Sequence, residues 1–81
     1  MNKDLKYYLN LPYKIVIESI PEKDGGGFVA YLPELGRYTV VSDGDTVEEA
    51  FQRMNEIKEA LLEKWLEEGV SIPEPKGNIV L

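Results

Sequence analysis

Carboxylates and glycines are the residues through which this sequence could do chemistry, and they gather in a few short places. Asp24 is followed by Gly25, Gly26 and Gly27, and Gly44 sits between Asp43 and Asp45. A run of glycines can cradle a phosphate when backbone N–H groups and a helix N-terminus converge on the anion, with a lysine beside it. Here the glycines precede FVAYLP, which reads as a strand, and Glu22 and Asp24 flank a single Lys23. Element order and local charge both point to a hairpin turn. One or more of the glycines is expected at positive φ, with the last letting the strand start without a side chain. The triplet Asp43-Gly44-Asp45 has the composition of a calcium loop but not its spacing, which needs alternating ligands over about twelve residues, a closing glutamate and two flanking helices. Asp45 is better explained as favourable charge at a helix N-terminus. Glu18 paired with Glu48 or Glu49 is the remaining catalytic option. A two-metal nuclease, however, requires several acids converging on a buried spot about 4 Å across, and most acids here fall on an exposed helix face.

Composition narrows the chemistry further. The chain has no cysteine and no histidine, which removes disulfides, thiolate nucleophiles, the usual zinc sites and every imidazole acid or base. No catalytic, cofactor-binding or metal-binding residue is expected, and the chain is read as a non-enzyme. Fifteen acids against nine bases give a net charge of -6. Binding to a phosphate backbone draws on clustered Lys and Arg, so direct nucleic-acid binding is not expected, and a basic protein partner is. The apolar runs are far shorter than the roughly 20 residues that span a bilayer, and MNKDLKYYLN is unlike a signal peptide. A cytoplasmic protein that does not bind membranes follows. With 81 residues the chain is expected to form a single domain, one that buries about 60 to 65% of its unfolded surface.

The elements that must position these residues can be read in order. YKIVIESI, Tyr13 to Ile20, is a β-branched strand with Tyr13, Ile15 and Ile17 on one face and Val16 and Ile20 on the other. PEKDGGG is a turn, FVAYLP a second strand ended by Pro33, and RYTVVS, Arg37 to Ser42, a third. The three are predicted to form an antiparallel meander. Asp43-Gly44 reads as a turn, and Thr46 with Glu49 as a capping box. The helix that follows should run to Gly69, with Val47, Ala50, Phe51, Met54, Ile57, Leu61, Leu62, Trp65 and Leu66 toward the sheet. Its far end, at Trp65, should overhang so small a sheet. Pro73 and Pro75 stiffen an extended link to GNIVL, a short C-terminal strand. Leu5, Tyr8, Leu9 and Leu11 form either helical turns packed on the sheet or an ordered arm. The fold class is α+β with order β-β-β-α-β.

Taken together, DGGGFVAYLPEL, GDTVEEAF, the long helix and the final PEP resemble the HicB family of antitoxins, including short members that consist of the HicB-like domain alone. Asp24, Gly25, Gly26, Phe28, Val29, Ala30, Pro33, Glu34, Leu35, Gly44, Asp45, Thr46, Glu48, Glu49 and Ala50 match its pattern in order, and the resemblance covers about residues 13 to 75. It implies a degraded RNase H-like fold without nuclease activity. The function it implies is that of a type II toxin–antitoxin system: binding and occluding a small, basic HicA-like toxin that cleaves mRNA. Asp24, Glu34, Asp43 and Asp45 are then the expected acidic contacts to that partner. The segment ELGRYTVVSDGD lacks the Pro-Gly-Cys that many members carry, and no DNA-binding domain is expected beyond residues 1–81. An apolar strand edge at Ile79, Val80 and Leu81, together with Trp65, is the expected interface of a homo-oligomer. Two other functions compete with this one: an orphan oligomeric scaffold without a toxin partner, and a residual RNase H-like hydrolase using Glu18 or Glu48.

Overall fold

The β-branched and aromatic stretches become strands only where they pair. The computed structural model describes residues 3–36 and 39–75 of the chain. Among them, β1 (Val16–Ser19), β2 (Phe28–Tyr31) and β3 (Val41–Gly44) form an antiparallel meander in the order β1-β2-β3. A short helix α1 (Leu5–Leu9) precedes the sheet and a long helix α2 (Val47–Glu68) follows it. The register pairs Ile17 with Ala30 and Ala30 with Ser42, so these side chains share one face. α2 lies on that face, over β2 and β3. The buried Ser42 hydroxyl donates to the Ala50 carbonyl at 2.6 Å and ties strand to helix. Ala30, Leu32, Leu35, Val40, Ala50, Met54 and Leu62 make the centre of the core.

Three boundaries depart from the sequence expectation. β1 is shorter than Tyr13 to Ile20, because Tyr13 is drawn into the core and donates its hydroxyl to the Pro73 carbonyl at 2.6 Å. β2 stops at Tyr31, and Pro33 opens a 3-10 turn, Pro33–Leu35, that buries Leu35. The third strand is displaced: it was expected over Arg37 to Ser42 and is found at Val41–Gly44, so Asp43 and Gly44 are strand and not turn. Gly36 at φ 112 and the bond from the Thr39 N–H to the Gly36 carbonyl keep the chain in a loop, and pairing resumes where the Leu32 N–H meets the Val40 carbonyl. Arg37 and Tyr38 lie outside the described residues, as does the expected strand at Gly77 to Leu81.

α2 keeps its expected ends, with Thr46 capping the first turn and Gly69 in the left-handed region after the last. Its apolar stripe is wider than the sheet can cover. Val47, Phe51 and Ile57 lie on its flanks and stay exposed, against expectation, while Ala50, Met54 and Leu62 are buried. α1 packs on α2, where the sequence had offered helical turns on the sheet or an ordered arm. Leu5, Leu9 and Leu11 border the same core as Leu61, Trp65 and Leu66, so the far end of α2 is packed by the N-terminal segment. The shortest principal extent of the molecule is 18 Å, which leaves room for one helix layer on one sheet layer.

Candidate functional site

The hairpin between β1 and β2 closes through the Ile20 N–H bonded to the Gly27 carbonyl at 2.8 Å, with a 3-10 turn at Glu22–Asp24. The Gly25 N–H bonds the Glu22 carbonyl and the Gly26 N–H the Pro21 carbonyl, so these donors serve the turn and not an anion. Gly25, Gly26 and Gly27 all have positive φ. Gly27 has a second constraint, because a Cβ there would stand 2.6 Å from the Gly44 carbonyl oxygen. That close approach brings the hairpin turn against the end of β3 and the start of α2.

An acidic corner results. Asp24, Asp43, Asp45 and Glu49 line a cleft of about 300 Å³ together with Gly25, Gly26, Gly44, Ile20 and Arg53. Each acid arrives from a different local cause: Asp24 from the 3-10 turn, Asp43 from β3, Asp45 from the residue before the helix cap, and Glu49 from the capping box. Glu49 donates its N–H to the Thr46 hydroxyl at 3.1 Å and accepts the Asp45 N–H at 2.9 Å. The reciprocal bond of the box therefore goes to the residue before Thr46. Arg53, one turn after Glu49 on α2 and half-exposed, turns to the corner. It donates to the Asp43 carbonyl at 3.1 Å and stands 3.7 Å from the Asp43 carboxylate and 3.6 Å from that of Glu49. These pairs are exposed and each is worth at most about 1 kcal/mol. One guanidinium against four carboxylates leaves the corner negative. The i,i+4 spacing of Glu49 and Arg53 was the signal in the sequence that could have found this contact.

Three of the four acids expected to contact a partner are thus brought together. Glu34 is not among them: it lies in the turn after β2, at the opposite end of the sheet, where its Oε1 accepts the Lys14 N–H at 2.6 Å. Glu18 pairs with Val29 on the sheet face away from α2, the helix that carries Glu48 and Glu49, and it does not line the acidic cleft. Among the described residues no group of three or more acidic side chains is placed to hold a metal ion. Trp65 is partly buried against the core, and Ile79, Val80 and Leu81 lie outside the described residues. No described helix is long and apolar enough to cross a membrane.

A second polar cluster joins residues before β1 to the segment after α2. Glu74 accepts from Lys3 at 2.8 Å and from the Tyr7 hydroxyl at 2.9 Å, bonds that hold its carboxyl below the usual range. Burial, aided by nearby acids, pushes the Tyr13 hydroxyl up to about 12. These groups fasten α1 to the segment after α2, and their chemistry is structural. No protein-family model matches the chain, and neither the curated proteins nor the solved structures contain a match to it.

Proposed function

We propose that the chain is an antitoxin-like protein of the HicB type, a degraded RNase H-like domain that binds a small basic HicA-like ribonuclease and occludes it. The observation that carries the reading is the ordered run of residues from Asp24 to Ala50 that follows the HicB pattern. The acidic corner supports it, since an RNA-seeking protein has a basic surface that carboxylates can engage in competition with phosphate. In this reading the protein is cytoplasmic, is no nuclease, and assembles through Trp65 and the segment Ile79 to Leu81. The test is affinity purification of the tagged chain from its own cells at low and moderate salt, with intact-mass analysis. A small, basic, stoichiometric companion is expected, with ribonuclease activity that disappears when the chain is added back. Recovery of self-oligomers alone at both salts contradicts the reading. That result would favour an orphan scaffold, to which the exposed Ile15, Val47, Phe51, Ile57 and Val70 lend support.

A further inference from the structure

The sheet has a second face. The register that sends Ile17, Ala30 and Ser42 toward α2 sends Val16, Tyr31 and Val41 the other way, in one cross-strand row, with Glu18, Val29 and Asp43 in the next. Both described helices lie on the opposite side, α2 on the sheet and α1 on α2. The three valines and Tyr31 are only partly buried, and none belongs to the core cluster or borders it. The Tyr31 hydroxyl makes no hydrogen bond among the described residues. Asp43 belongs to this face and also to the acidic corner, so the apolar row runs without a break into the negative cleft.

We infer that this face, which neither described helix covers and which is centred on Tyr31, is the surface that seats the basic protein partner; the inference rests on the antitoxin-like reading above. Two observations select that occupant. The first is area. Three strands of four residues span on the order of 200 Å², far short of the roughly 800 Å² per partner of a stable interface. The apolar row therefore cannot hold a partner unless the contact extends onto the acidic corner. The second is charge. Two copies meeting through this face would bring together chains of net charge -6 each, with Glu18, Asp43 and the corner at the contact. Lys14, before the start of β1 at the other end of the sheet, is too little to offset them, and Arg53 is already engaged with Asp43 and Glu49. A partner with an apolar centre and a basic rim meets both conditions, and a half-buried tyrosine at the middle of such a row is the kind of residue that anchors an interface.

The test measures the affinity of a purified HicA-type ribonuclease from the same cells, its catalytic side chain silenced, for the full chain and for three variants. Tyr31→Lys and Glu18→Lys alter this face at residues outside the core cluster. Glu56→Lys/Glu63→Lys alters the acidic outer side of α2 and controls for charge alone. Circular dichroism melts confirm that each variant folds, and Val41→Lys replaces Tyr31→Lys if that one does not. The expected result is a loss of about thirty-fold or more for Tyr31→Lys, a smaller loss for Glu18→Lys, and a change within about threefold for the helix variant. Unchanged binding by Tyr31→Lys with a large loss in the helix variant overturns the placement and leaves the antitoxin reading standing. No binding by the wild-type chain overturns both. A self-associated wild-type chain that Tyr31→Lys converts to monomers gives the face to a second copy and overturns the inference.

Discussion

Gly27 meets two demands that no other residue type satisfies together. Its φ is +83, and a Cβ there would stand only 2.6 Å from the carbonyl oxygen of Gly44. Gly27→Ala is therefore expected to cost about 1–3 kcal/mol in urea unfolding. Gly25→Ala, at a position with open space around it, should cost less. Tyr13 has a different signature. Its hydroxyl is raised to about 12 by burial, so the folded state favours the neutral form. Its contribution is complete below pH about 10, where the unfolded tyrosine begins to ionise, and is lost as pH rises toward 12. A melting-temperature series above pH 9 should show a steeper alkaline fall for the wild type than for Tyr13→Phe. Glu74 acts at the other end of the scale. Its lowered carboxyl contributes above pH about 4.5 and loses that contribution as pH falls, so the acid limbs of the wild type and Glu74→Gln should converge.

At the scale of elements, local signals were legible in the sequence and non-local ones were not. The ends of α2 are set by Thr46 and Gly69 within a single turn of chain. Thr46→Ala should cost about 1 kcal/mol, and Met54→Ala, which empties a fully buried site, about 2–5 kcal/mol. Calorimetric or denaturant unfolding would check both. The position of β3 depends on partners distant in sequence. Asp43-Gly44 is a turn signal taken alone, but pairing with Val29 and Phe28 draws it into the sheet. The face occupied by α1 was equally hidden, since its leucines fit a sheet or a helix surface alike. In the candidate site, the neighbourhood of Asp24 with Asp43 follows from the hairpin folding against β3, which no spacing along the chain encodes, and the position of Glu34 apart from them was hidden for the same reason. Asp45 and Glu49 were legible because the helix cap places them.

For the whole molecule, the central feature is that one sheet face builds the core while the other continues into a negative corner. Charge reversal there should act at a distance from the core. The triple variant Asp24→Lys/Asp43→Lys/Asp45→Lys is expected to keep a near-native melting temperature and to weaken a basic partner by about tenfold or more. The effect should shrink as salt shortens the screening length below about 10 Å. Glu34→Lys, at the other end of the sheet, should leave that affinity nearly unchanged. The measurement that bears most directly on the proposed function is a titration of a HicA-type ribonuclease, purified from the same cells, with the wild-type chain, followed by RNA cleavage. Activity that falls to zero at stoichiometric equivalence is the predicted result. Cleavage that continues at full rate under a large molar excess of the chain would contradict it.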